Sequence, residues 1–188
     1  MSAIRPREPK ILEAETLDLR LPDEAATREL GAALALLLVP GLRIWLQGEI
    51  GSGKTTLVRA ALRALGYSGP VRSPTYTLLE LYPVSRLDFY HLDLYRFDFP
   101  EEYLDAGLEE CFGAEGVWLV EWPERAAPYL PPADLTLRLS LDGEGRRARI
   151  AAHTALGRTC LEGLARSAAA KRHSIPAGAS SSGPDSPD

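Results

Sequence analysis

Lysine is almost missing from this 188-residue sequence: Lys10, Lys54 and Lys171 stand against 18 arginines. Two of the three lie near the ends, so Lys54 is the single lysine of the body. Chemistry that needs a compact ammonium there has one candidate. Cysteine is scarcer still. Cys111 and Cys160 share no metal-ligand spacing, which excludes a thiolate zinc site and suits free thiols in a reducing compartment. No apolar run approaches the roughly 20 residues of a spanning helix. Ala32–Val39 is a short one and reads as part of a core helix. No secretory leader pattern is present, so the expected location is the cytoplasm, with no membrane association. Positive charge is in deficit: the net charge is −5 and the pI about 5.3. That rules against a dominant nucleic-acid surface while leaving room for a local basic patch.

What is present is organised around Gly48-Glu49-Ile50-Gly51-Ser52-Gly53-Lys54-Thr55, which reads G-x-x-x-x-G-K-[ST], the phosphate-cradling loop. Before it, Leu42–Gln47 is short and mostly apolar, as a buried parallel strand is. After it, Leu57, Val58, Ala61, Leu62 and Leu65 share one helical face, and Gly66 sits where a helix ends. Glycines let the backbone wrap a polyphosphate and aim its N–H groups inward, and the new helix adds its positive end. In that chemistry Lys54 meets the β- and γ-phosphates and the Thr55 hydroxyl ligates Mg²⁺.

The remainder supplies an α/β frame. Residues 1–10 carry prolines and charge and read as a disordered lead-in. Ile11–Leu19 is a first strand ended by Leu21-Pro22, and Asp23 caps a helix through Leu38. Ser73-Pro74-Thr75-Tyr76-Thr77 is either a γ-phosphate-sensing loop or an ordinary polar turn into a strand Leu78–Tyr82. Along Arg86–Arg96 the period of two puts Leu87, Phe89, His91, Asp93 and Tyr95 on one face. A face that turns polar at its C-terminal end delivers side chains to the sheet edge where α/β folds bind ligands. Asp93 is placed there to orient water or hold metal-bound water. His91 is its partner or a structural histidine, and Arg96 serves phosphate charge or pairs with Glu101 or Glu102.

Pro100 opens a helix expected to reach about Phe112, with Gly113 and Gly116 ending it. Val117–Trp122 is an apolar strand finishing in Glu121, the form of a strand whose carboxylate holds Mg²⁺. Trp122 lines the nucleotide cleft or packs in the core. Asp134–Leu141 and Arg147–His153 are hairpin strands about Asp142-Gly143-Glu144-Gly145. A last helix covers Leu156 to about Ala170, and 171–188 is rich in Ser and Pro and reads as a disordered tail. The expected fold is therefore a P-loop NTPase-like three-layer α/β sandwich over residues 11–170. Its sheet is mixed and mainly parallel, and it closes with a C-terminal β-hairpin.

The phosphate loop, Ser73–Thr77, His91-Leu92-Asp93-Leu94-Tyr95-Arg96 and Glu121-Trp122-Pro123-Glu124 together resemble one family. It is the small bacterial ATPase family of tRNA threonylcarbamoyladenosine biosynthesis known as TsaE. The similarity runs in order from about Leu21 to about Leu164. It implies an Mg²⁺-dependent ATPase, weak alone, that acts with a threonylcarbamoyl transferase subunit and that subunit's inactive homologue. Such an ATPase would reset their complex between rounds of transfer to adenosine 37 of tRNAs reading A-starting codons, meeting tRNA only through the complex. By the same resemblance Ile50, Gly51, Ser52, Gly53, Lys54, Thr55 and Thr56 hold phosphates, and Thr55 and Glu121 hold Mg²⁺. Thr75 and Thr77 lie in a switch-like loop, Asp93 is the catalytic carboxylate with Lys54 beside it, and Trp122 borders the nucleotide. Adenine lies between the start of the Asp23–Thr27 helix, at Ala25, and the hairpin arginine Arg146. Tyr103 stands where the family more often has an aliphatic residue.

Two other functions share the loop. A small-molecule kinase would normally add an arginine-rich lid, and none is evident. A nucleotide-gated scaffold with little turnover needs the same binding residues as an ATPase, so the sequence does not separate the two.

Overall fold

The computed structural model describes residues 15–84, 87–112 and 115–173. The lead-in of residues 1–10, the expected start of the first strand, Gly113 and residues 174–188 lie outside them.

Seven strands form one sheet in the order β1-β7-β6-β2-β5-β4-β3. Its centre is β2 (Arg43–Gln47) between β5 (Val117–Glu121) and β6 (Leu135–Asp142), both parallel to it, with β4 (Leu87–Asp93) parallel on the far side of β5. Apolar side chains on both faces suit β2 and β5 to this position, because helices or loops cover each face of a parallel core. The outer strands are antiparallel: β3 (Leu79–Val84) on β4, and the hairpin partner β7 (Gly145–Ala152) on β6, with β1 (Thr16–Leu21) beyond it. β3 is an edge strand and carries Pro83, which has no ladder proton to lose there. β1 runs to Leu21 because that residue still pairs with Arg146 of β7.

Strand parity sorts the two faces. Ile44, Leu46, Phe89, Val117 and Leu119 point to one side. There they meet α1 (Glu24–Ala35), α2 (Lys54–Ala64) and α5 (Ala155–His173) through Leu30, Leu34, Leu57, Leu62 and Leu161. Trp45, Leu92, Trp118 and Val120 point to the other side, under Tyr103 and Leu108. This is the three-layer arrangement, with the cover on the second face much thinner.

Local chemistry sets the helix ends. The Asp23 carboxylate accepts the Ala26 N–H at 2.8 Å and so caps α1. α1 ends at Ala35, short of Leu38, where the Leu37 N–H donates to the Leu34 carbonyl at 2.9 Å and tightens the last turn. The helix expected from Pro100 to Phe112 is instead two single turns, α3 (Glu102–Asp105) and α4 (Leu108–Cys111). Between them Gly107 adopts φ +63, a left-handed conformation that ends the first turn and restarts the second. The Glu102 carboxylate accepts the Asp98 and Phe99 N–H groups at 2.8 and 2.9 Å, which fixes the entry to α3.

The thin face buries Tyr103 completely, and among the described residues its hydroxyl has no hydrogen-bond partner. Burial pushes this phenol up to about 12 and the Cys160 thiol up to about 11. Both are acids that the folded chain keeps protonated at pH values where the unfolded chain ionises, at 10.0 and 9.0. The unfolded state then binds fewer protons, so stability should fall as pH rises from 9 to 12. Tyr103→Phe should flatten the upper part of that loss and raise stability at pH 7 by about 1 kcal/mol, since it removes an orphaned hydroxyl. Denaturant midpoints at neutral and alkaline pH measure both; a lower midpoint for Tyr103→Phe at pH 7 would mean the hydroxyl is satisfied.

Candidate functional site

The loop between β2 and α2 is shaped by glycine at its first residue. A Cβ on Gly48 would stand 2.2 Å from the Leu139 carbonyl oxygen of β6, so no other residue lets the loop leave the sheet this way. Gly51 and Gly53 take φ +78 and +104, and Gly53 is the N-cap of α2, so the helix begins with its amides facing the loop. Lys54 follows at once. It is buried, and its Nζ donates to the Gly48 and Glu49 carbonyls at 2.6 and 3.0 Å and lies 4.2 Å from the centre of the Trp122 ring. Burial lowers its pKa, while the carboxylates of Glu121, Asp93 and Glu124 pull it the other way.

β4 and β5 lie parallel with Asp93 opposite Glu121, so both carboxylates leave the C-terminal edge of the sheet on the α2 side. Glu121 Oε1 accepts the Thr55 hydroxyl at 2.9 Å and faces His91 Nε2 at 3.0 Å. Asp93 Oδ2 accepts the Ser73 hydroxyl and, at 2.8 Å, the Thr75 hydroxyl; Oδ1 accepts the Tyr95 N–H at 3.0 Å. Trp122 ends β5 in a left-handed conformation (φ +59) that turns its indole over the cleft instead of along the strand.

A cleft of about 370 Å³ results. Ile50, Gly51, Gly53, Lys54, Thr55, Thr56, Thr75, Asp93, Glu121 and Trp122 line it, together with Ser73 and Tyr95. The other expected residues stand elsewhere. Ser52 faces away into a neighbouring hollow and its hydroxyl is buried without a partner among the described residues. Thr77 is exposed and donates to Glu80 at 3.1 Å. Ala25 is exposed on the first turn of α1; from that turn it is Thr27 that approaches Gly53. Arg146 grips the loop from outside, donating to the Ser52 and Gly51 carbonyls at 3.2 and 3.4 Å. Arg96 lies over the exposed ring of Tyr76 at 4.2 Å.

A hydroxyl and a carboxylate beside a glycine loop are hard oxygen donors, the set Mg²⁺ takes when phosphates and water complete its shell. Among the described residues no group of three or more His, Cys, Asp or Glu could hold a metal without such help. None of their helices is long and apolar enough to cross a membrane. Ser73 is the lining residue that sequence reasoning missed, because nothing local shows that its hydroxyl reaches a strand twenty residues on.

Comparison with known proteins agrees with the motifs. A protein of Haemophilus influenzae described as tRNA threonylcarbamoyladenosine biosynthesis protein TsaE is 35% identical over 152 residues, covering 78% of this chain and 96% of that one. A protein of the same description from Nostoc is 40% identical over 131 residues, covering 68% and 80%. The crystal structure of Bacillus subtilis YdiB superposes with a TM-score of 0.72 at 26% identity, over 84% of this chain and 99% of that one. The model of the family described as threonylcarbamoyl adenosine biosynthesis protein TsaE matches residues 21–149, and this chain belongs to that family.

Proposed function

We propose that this protein is an Mg²⁺-dependent ATP hydrolase serving the threonylcarbamoyladenosine modification of tRNA. It works in the cytoplasm as an accessory subunit, with the threonylcarbamoyl transferase subunit and its inactive homologue as partners, and meets tRNA only through their complex. The observation that carries this reading is the contact of Thr55 with Glu121 on one wall of the cleft, with Asp93 on the neighbouring strand.

The loop amides from Ile50 to Thr56 and the Lys54 ammonium bind the phosphates, and Lys54 exchanges its present carbonyl partners for phosphate oxygens. Thr55 and Glu121 hold the metal, which when bound neutralises charge building on the phosphate oxygens. Asp93 orients the attacking water and takes its proton at Oδ2. Trp122 walls the cleft against bulk water. Arg146 keeps the loop in shape from behind, by its bonds to the Gly51 and Ser52 carbonyls.

Turnover alone should be slow, because Asp93 Oδ2 already accepts two hydroxyls, from Ser73 and Thr75. Those residues must let go before the oxygen can serve water, and their segment carries the exposed Tyr76 where a partner can push. The test is ADP release by the protein alone, with the two partner subunits, and with candidate phosphate acceptors. A rise of about tenfold or more with the partners is expected. Release that follows an acceptor instead would make the protein a kinase, and no rise with partners would leave a nucleotide-gated scaffold.

A further inference from the structure

Buried polar side chains without catalytic contact are costly, and His91 is one. It is fully buried on β4, between Tyr90 and Leu92 in sequence, with Leu119 of β5 and Glu80 of β3 as its cross-strand neighbours. Its Nε2 meets Glu121 Oε1 at 3.0 Å, while Nδ1 has no partner among the described residues. The acceptor is a carboxylate, so Nε2 is the donor of this pair, and the buried Nδ1 is left unsatisfied. An aliphatic residue would fill the same space without stranding a polar atom. The ring is therefore kept for the one bond it makes.

That bond is not made straight across the ladder. His91 is opposite Leu119, and Glu121 lies two residues further along β5, so the ring leans toward the sheet edge to reach it. The same oxygen, Oε1, also accepts the Thr55 hydroxyl. Two donors on one oxygen, one from β4 and one from α2, fix where the carboxylate points. Without the imidazole, Thr55 alone would hold that oxygen, and the nearby Lys54 ammonium could draw Glu121 into other orientations.

Resting on the metal-site reading above, we propose that His91 is the positioning residue of the Mg²⁺ site. It touches neither nucleotide nor metal and acts by holding the Glu121 carboxylate in the orientation that meets Thr55.

The experiment uses two amides of different reach. In His91→Gln the side-chain N–H₂ stands near the place of Nε2 and can still donate to Glu121; in His91→Asn it stops near Nδ1 and cannot. Calorimetry with a non-hydrolysable ATP analogue gives the affinity in Mg²⁺ and in EDTA, and their ratio reads the metal site apart from the phosphate loop. His91→Gln should keep the wild-type ratio within about twofold, and His91→Asn should lose about tenfold of it with the EDTA affinity unchanged. Equal ratios in the two variants, high or low, would overturn the proposal. A wild type that binds equally with and without Mg²⁺ would take the metal reading down with it, and is told apart because it needs no variant. Should His91→Asn not fold, His91→Leu replaces it with the same two outcomes.

Discussion

Lys54→Ala is expected to weaken ATP binding by about tenfold to a hundredfold, the loss of a charge-assisted hydrogen bond worth about 1.5–3 kcal/mol. No other lysine of the described residues can take over, and the arginines near the loop are committed: Arg146 to its carbonyls and Arg96 to Tyr76. The fold should change little. Burial holds the Lys54 ammonium below its usual pKa, so removing it relieves a desolvation cost that offsets the packing lost with its stem. In Mg²⁺-free buffer the affinity loss should persist, since it concerns phosphate contact. Calorimetry showing an unchanged affinity would remove the phosphate-loop reading.

Asp93→Asn should have the opposite profile, with ATP affinity within about threefold of wild type and turnover down about a hundredfold or more, the range of a lost general base. Asparagine keeps an oxygen for the Tyr95 N–H, and the Ser73 and Thr75 hydroxyls can rotate to suit the new amide, so the local structure survives. Single-turnover hydrolysis measured beside equilibrium binding separates the two quantities. Equal losses in binding and turnover would make Asp93 a metal-site or structural residue instead. The contrast with Lys54 is what gives the pair its force: one residue fails at binding, the other after it.

The sequence displayed those parts of the site that are local or follow strand parity. Gly48–Thr55 is contiguous, and its flanking strand and helix announce themselves by apolar spacing. Asp93 and Glu121 end two strands on the same parity, so their meeting needed only a parallel register. Contacts made by loops over long separations were not legible. Thr75 and Thr77 looked equivalent, yet one faces Asp93 and the other Glu80, because Leu78 takes a left-handed conformation (φ +62) as the segment enters β3. Arg146 is set at the hairpin by the motif, but its bonds to the Ser52 and Gly51 carbonyls join segments more than ninety residues apart and have no local signal. The break at Gly107 escaped notice because its flanks are good helix formers and a lone glycine is often tolerated in a helix.

The strand order has a consequence for how the protein is made. β2, which launches the phosphate loop, is flanked by β5 and β6, both of which come much later in the chain. During synthesis the loop emerges early with neither neighbour present, and the Leu139 carbonyl against which Gly48 fits arrives about ninety residues later. Pairing between segments so distant is slow, because the intervening chain must be gathered before the contacts form. A nascent or clipped chain therefore holds the whole motif and yet no finished pocket. On the proposed function, nucleotide capture would certify completed folding, and ligand present in the cell would favour finished molecules over partial ones.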